Sequence, residues 1–304
     1  MAKRIDFSGV HLFSVTPTDA KGGVAPEKLE AHINRAIDAG IVSITVFGST
    51  GAIGQFNEAE RKTIAEAAVR YTAGRVPVIV GTGSMNSAEA IRLSLHAKDT
   101  GADAILVVPT TYWPLTEPEL TAHYKAIADA TAMPMVLYNN PRTTGVDMSP
   151  AFLASLCEIP TVIAVKESAP DVSRIADQVR LTKGRIPVLT GRDPQILDAM
   201  LVGSTGWFSG GANSAPEVCV RLFNLIKSGT IDEARRYFDT LYPLWSFATA
   251  KGGVRVAHTA LELMGQSMGA PRSPLRLLEG EDRKKLQQLL ADLGLLAAAA
   301  KRAA

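Results

Sequence analysis

Eight short apolar runs, each followed by a stretch with helical spacing, constrain the fold of this chain more than any other feature. They are Val10–Pro17, Ile41–Gly48, Val76–Gly83, Ala104–Thr111, Pro134–Pro141, Thr161–Ser168, Ile186–Asp193 and Gly206–Asn213. Their starts lie 20 to 35 residues apart, the size of one strand–helix unit. The runs are apolar on both faces, as parallel strands covered by helices must be. Between them, Asn57, Asn86 and Thr116 precede helical stretches as capping residues, with acidic side chains in the first turn. Pro118 falls in the first turn, where a missing N–H costs little. Gly40, Gly74 and Gly101 fit the left-handed position that closes a helix. Eight such units predict an α/β fold, a closed (β/α)8 TIM barrel. A doubly wound open sheet would carry a glycine fingerprint after its first strand, and here that strand ends in Thr16-Pro17-Thr18.

Beyond about residue 230 the strand signal stops. Ile231–Phe247, Gly253–Met264 and Glu281–Ala300 read as helices, with an apolar stripe over Leu286–Leu296. The expected division is a barrel over 1–230 and a C-terminal helical extension over 231–304. No Gly-, Ser- or Pro-rich linker separates them, so the extension should pack on the barrel as an appendage. The Ala-rich end with Lys301 and Arg302 is expected to fray.

Charge and cysteine content narrow the function classes. Lys and Arg number 32 and Asp and Glu 30, a formal charge of +2. That balance argues against nucleic acid or an anionic membrane as partner. No apolar run is long enough to span a bilayer, and the basic start of the chain lacks the apolar stretch of a signal peptide. The two cysteines, Cys157 and Cys219, form no CxxC motif and no disulfide framework. A soluble, reduced, cytoplasmic protein is expected.

In a barrel, chemistry sits at the C-terminal ends of the strands. Lys166 ends the sixth run. An amine at the mouth of an apolar strand loses solvation, which lowers its pKa. A free lysine, with pKa about 10.4, is neutral to only on the order of one part in a thousand at pH 7. A depressed pKa would supply the neutral amine that a Schiff base requires. A rim lysine paired with a carboxylate is the plain alternative. Tyr138 ends the fifth run, beside Lys166 in a barrel. Its hydroxyl either moves protons or finds an ordinary backbone partner. Gly48-Ser49-Thr50-Gly51 offers small residues, hydroxyls and backbone N–H groups suited to a carboxylate, or simply a capped turn. It lacks the Walker A spacing. Tyr112 and Trp113 read as a substrate wall, a subunit contact or loop packing. Gly210-Gly211 keeps a phosphosugar enzyme open, because glycine-rich ends at that place bind phosphate in other barrels.

No metal site is expected. His11, His32, His96, His123 and His258 show neither HxH nor HExxH spacing. His32, His96 and His123 fall on helices as surface or packing residues, and His11 begins a strand, at the wrong end for catalysis. Cys157 and Cys219 read as small buried hydrophobes.

Taken together, Gly48-Ser49-Thr50-Gly51, Tyr138-Asn139-Asn140-Pro141 with Gly145, and Val165-Lys166-Glu167 resemble the signatures of the dihydrodipicolinate synthase and N-acetylneuraminate lyase family. Gly81-Thr82-Gly83 and Leu189-Thr190-Gly191-Arg192-Asp193 also match, and the resemblance runs from Gly9 to about Met268. It implies that Lys166 forms the Schiff base with pyruvate or another 2-oxo acid and that Tyr138 shuttles protons. Ser49 would link Tyr138 to Tyr112 of a neighbouring subunit, and Thr50 with backbone N–H groups of the Gly48–Gly51 turn would hold the substrate carboxylate. Gly191 and Phe208 would line the pocket. A homotetramer, a dimer of dimers, without metal or organic cofactor, is implied.

Two positions depart from the lysine-pathway synthases. Their substrate-binding arginine, two residues before the glycine of the Tyr-Asn motif, is Thr143 here, with Arg142 one residue earlier; and Ala52 stands where they usually carry Glu. The expectation is therefore a Schiff-base lyase or synthase acting by aldol-type condensation, cleavage or dehydration. Arg142 and Trp113 are candidates to read the far end of its substrate. 4-Hydroxy-tetrahydrodipicolinate synthesis, a phosphosugar enzyme and a non-catalytic 2-oxo-acid-binding barrel are the alternatives.

Overall fold

The computed structural model describes residues 5–296. Its strands are β1 (Val10–Phe13), β2 (Ser43–Val46), β3 (Val78–Gly81), β4 (Ala104–Val107), β5 (Met135–Asn139), β6 (Val162–Glu167), β7 (Val188–Thr190) and β8 (Gly206–Ser209). They pair in chain order, all parallel, and β8 closes on β1. Each lies within one of the eight apolar runs. The TIM barrel read from the sequence is the observed fold.

The helices between them are α1 (Leu29–Asp38), α2 (Glu58–Thr72), α3 (Ser87–Asp99), α4 (Glu117–Thr131), α5 (Pro141–Thr144), α6 (Pro150–Leu156), α7 (Ser173–Leu181), α8 (Ile196–Leu201) and α9 (Pro216–Lys227). Local chemistry sets their starts. Asn57 Oδ1 accepts from the Glu60 amide at 3.0 Å while Glu60 returns the bond to the Asn57 amide at 2.9 Å, a capping box that Thr116 and Glu119 repeat. Gly40 and Gly101 close α1 and α3 with φ of +96° and +88°. After α2, however, the left-handed turn begins one residue before Gly74, at Ala73, where φ is 50°. That conformation costs a residue with a Cβ roughly 1–2 kcal/mol, and the Ala73 amide closes the helix by donating to the Val69 carbonyl.

Beyond the barrel come α10 (Ile231–Lys251), α11 (Gly253–Leu263) and α12 (Gly280–Asp292). The first was expected to stop at Phe247, but Pro243 sits inside the helix without ending it, and the chain turns only at Gly252, where φ is +96°. The last was expected to reach Ala300. Residues 297–304, including the fraying expected at Lys301 and Arg302, lie outside the described residues.

Alternation along the strands divides the core in two. One face of each strand packs under the helices. The other fills the lumen with Phe7, Phe13, Ile79, Leu106, Val136, Leu189 and Phe208. A third cluster, including Leu244, Val256, Leu286 and Leu290, joins α10, α11 and α12 to one another. Trp245 fixes the extension to the barrel through an edge-on contact with Trp207, ring centroids 5.4 Å apart. Such aromatic pairs are worth about 1 kcal/mol beyond their buried area.

Candidate active site

The register of β5 against β6 pairs Tyr138 with Lys166. Both side chains point into the lumen at its C-terminal end. Lys166 is 1% exposed, and its Nζ lies 3.1 Å from the centre of the Phe13 ring and 3.9 Å from that of Tyr138. No carboxylate forms an ion pair with it among the described residues. Burial therefore lowers its pKa well below the ordinary lysine value, and only the more distant Asp193 charge opposes the shift. A neutral amine at the floor of a cavity is a nucleophile; a rim lysine held by a carboxylate would not be.

Tyr138 is buried, and burial raises its pKa. Hydrogen bonds oppose that shift. Asn140 Nδ2 donates to the phenol oxygen at 2.8 Å and to Ser49 Oγ at 2.9 Å. Ser49 Oγ and the phenol oxygen are 3.2 Å apart. Ser168 Oγ stands close enough to act in the same direction, without the alignment of a hydrogen bond. From Ser49 the chain of hydroxyls continues to Thr143 Oγ1 at 3.4 Å, and Thr143 is exposed. A buried phenol is thus connected to the surface through two hydroxyls. Residue 143 takes part because Pro141–Thr144 forms a single helical turn rather than an open loop.

Above Lys166 opens a cavity of about 290 Å³. Of the expected residues, Lys166, Tyr138, Ser49, Thr50, Gly191, Phe208, Arg142 and Thr143 are in its wall. Gly48 and Gly51 stand behind Ser49 and Thr50. At Gly48 a Cβ would fall 1.7 Å from Phe13 Cζ, so the missing side chain lets Phe13 lie under the lysine. Gly191 is constrained likewise, since a Cβ would come within 2.5 Å of Lys166 Cε. Tyr112 and Trp113 do not reach the cavity of their own chain. They are 83% and 73% exposed and contact each other edge-on.

Several wall residues had no assigned role in the sequence reading. Asp193 accepts from Trp207 Nε1 at 2.9 Å, Ser209 Oγ at 2.8 Å and the Gly211 amide at 3.0 Å. Burial pushes its carboxyl upward, while these donors and Lys166 act against the shift. Its sequence signal was the Gly191-Arg192-Asp193 strand end, recognised as a motif only. Arg192, Trp245 and Val254–Ala257 also line the cavity. The last two come from the extension, and no local pattern announces that contact.

The Gly210–Ser214 loop is poor in free donors for a phosphate. The amides of Gly211, Ala212, Asn213 and Ser214 donate to Asp193, Ser209, Gly210 and Gly211 respectively. The phosphosugar alternative therefore loses its binding loop. The histidines outside the site behave as packing or surface groups. His32 is buried with Nε2 3.1 Å from Asn213 Oδ1, His123 Nδ1 is 2.9 Å from Ser87 Oγ, and His96 pairs with Glu66. Cys157 and Cys219 are buried and free. No helix among the described residues is long and apolar enough to cross a membrane.

Comparison with known proteins points in the same direction. The model of the dihydrodipicolinate synthetase family matches residues 6–293. A 4-hydroxy-tetrahydrodipicolinate synthase of Methanopyrus kandleri is 34% identical over 284 residues, 93% of this chain and 95% of that protein. YagE of Escherichia coli, provisionally named a 2-dehydro-3-deoxy-D-gluconate aldolase, is 33% identical over 95% of this chain and 98% of its own. The crystal structure of YagE in complex with pyruvate superposes with a TM-score of 0.90 at 31% identity, over 95% of this chain and 99% of that one.

Proposed function

The chain belongs to the dihydrodipicolinate synthetase family, and from that premise we propose a lysine Schiff-base lyase or synthase that acts in the cytoplasm on pyruvate or a related 2-oxo acid. The observation that carries this reading is the solvent-stripped Lys166 amine beside the Tyr138 phenol at the floor of the cavity. The Nζ lone pair attacks the C2 carbonyl of the 2-oxo acid, and the resulting carbinolamine loses water to give a protonated imine. Tyr138 supplies the proton to the departing hydroxyl and recovers one through Ser49 and Thr143. The imine is an electron sink. Loss of a C3 proton, or cleavage of the C3–C4 bond, leaves an enamine. Condensation is the reverse, the enamine carbon bonding to an aldehyde or imine carbon, and water then releases the lysine. In this reading Thr50, which lines the cavity wall after β2, receives the carboxylate of the 2-oxo acid.

The open Tyr112–Trp113 pair supports a further part of the reading: a homotetramer built from dimers, in which Tyr112 reaches the Ser49 of a neighbouring subunit. Arg142 in the cavity wall keeps 4-hydroxy-tetrahydrodipicolinate synthesis as a second reading, since an arginine is still available to a second substrate despite the offset at Thr143.

Borohydride reduction with pyruvate, followed by peptide mass mapping, tests the proposal. A reduced pyruvyl adduct on Lys166 is the expected result. Pyruvate binding with no adduct from pyruvate or longer 2-oxo acids would sink it, and would favour a non-catalytic barrel.

A further inference from the structure

Three arginines line the cavity that holds Lys166, and none has an ion-pair partner among the described residues. Arg142 stands on α5, after β5; Arg192 follows β7; Arg255 comes from α11 of the extension. In the barrel order β5 and β7 are the two neighbours of β6, so Arg142 and Arg192 flank the lysine strand. Arg142 Nη2 donates to the Thr249 carbonyl at 2.8 Å, which fixes the side chain without neutralising it. Arg192 Nε is buried and has no acceptor. The carboxylate whose charge acts on Arg192, Asp193, spends its oxygens on Trp207, Ser209 and Gly211. Burial and the like charge of Arg142 both lower the pKa of Arg192.

A guanidinium half removed from water, under the like charge of a second one in the same cavity wall, with its Nε unsatisfied, is costly unless an anion completes the group. The fork of an arginine matches a planar carboxylate. A phosphate would call on additional backbone donors, and the amides of the adjoining Gly211–Ser214 segment are already used within the loop.

We propose that Arg192, together with Arg142, forms an anion subsite above Lys166 that selects substrates carrying a carboxylate at the end remote from the reacting 2-oxo group. This rests on the Schiff-base reading for the position of the reacting carbon, and it defines the substrate class as 2-oxo acids that carry a second carboxylate of their own.

The test is calorimetric titration of the intact protein with 2-oxoglutarate and with 2-oxopentanoate, which have the same chain length and differ in the distal carboxylate. The dicarboxylate should bind about tenfold to a hundredfold more tightly, the range for a charge-assisted hydrogen bond. In Arg192→Gln that ratio should collapse toward one, and Arg192→Lys should keep part of it, because it retains the charge without the fork. Arg142→Gln should lower the ratio less, and it serves as the second variant should Arg192→Gln not fold. Equal affinities in the unmodified protein, or an intact ratio in a folded Arg192→Gln, would overturn the subsite. Tighter binding of inorganic phosphate than of glutarate would overturn the choice of carboxylate. Borohydride adducts on Lys166, measured in parallel, report separately on the imine. Adducts without a dicarboxylate preference remove the subsite and leave the Schiff base. A preference without adducts does the reverse.

Discussion

His11 and Lys166 point into the same lumen from opposite ends of the barrel. Both are fully buried, and burial lowers the pKa of each. Their surroundings differ. His11 lies between Phe7 and Phe208, at ring-centroid distances of 5.8 and 4.8 Å, and its Nδ1 is 2.7 Å from Ser43 Oγ. Its Nε2 lacks an aligned hydrogen-bond partner, and the residue takes no part in the wall of the cavity above Lys166. Lys166 has aromatic neighbours as well, but one side faces a cavity, a phenol with a route to solvent, and arginines. Desolvation alone therefore does not make a site. A perturbed group becomes useful where there is room for a reactant and a path for its proton.

The largest effect should come from removing the amine. Lys166→Met is expected to lower turnover by roughly a thousandfold or more, as nucleophile deletions do. It should also raise the melting temperature at pH 7, on the order of a few degrees. The folded-state pKa of Lys166 lies below its unfolded value, so the unfolded chain binds more protons as pH falls below the unfolded pKa near 10.5, and the buried amine costs stability at neutral pH. Thermal melts at pH 7 and pH 10 read this. A mutant that is inactive and also less stable at pH 7 would break the contrast, because it would make Lys166 a structural residue like His11.

Tyr138→Phe comes next. It keeps the ring against Lys166 and Phe13 and removes only the hydroxyl that Ser49 and Asn140 hold. Proton transfer by a positioned side chain contributes about a hundredfold to ten-thousandfold, so a loss in the lower part of that range is expected in kcat. The rate of borohydride trapping should fall with it. Unchanged trapping would show that water, and not the phenol, serves the carbinolamine.

These two residues were legible in the sequence because barrel geometry ties a strand's last residues to the mouth, and the eight apolar runs are unbroken by competing patterns. The residues that enclose them were less so. Asp193 is held by Trp207 and Ser209 on the next strand, and Trp245 and Val254–Ala257 close the cavity from an extension whose helical stripe revealed only that it packs somewhere. Arg142 was one residue away from the family's arginine and faces the cavity because Pro141–Thr144 is helical, a conformation decided by four residues without periodicity. Strand ends are fixed by chain geometry; cavity walls depend on contacts between residues far apart in the chain.

The smallest effect on activity should come from His11→Asn, which sharpens the comparison through stability. His11 has a pKa of about 4 in the folded chain against 6.5 unfolded. Above pH 6.5 both states are neutral and the group is silent. Between 6.5 and 4 the unfolded chain takes up a proton that the folded chain refuses, so stability falls as pH falls; below 4 the loss is complete. At pH 5 the term amounts to about 2 kcal/mol. His32, also shifted to about 4, adds a similar slope that the mutation leaves untouched. Urea midpoints of the unmodified protein and His11→Asn at pH 7 and pH 5 isolate the difference: the mutant should lose less stability on acidification, with turnover at pH 7 within about threefold of the parent. A large loss of turnover with the fold intact would mean that the His11 end of the lumen communicates with the mouth through Phe208, which packs on His11 below and lines the cavity above.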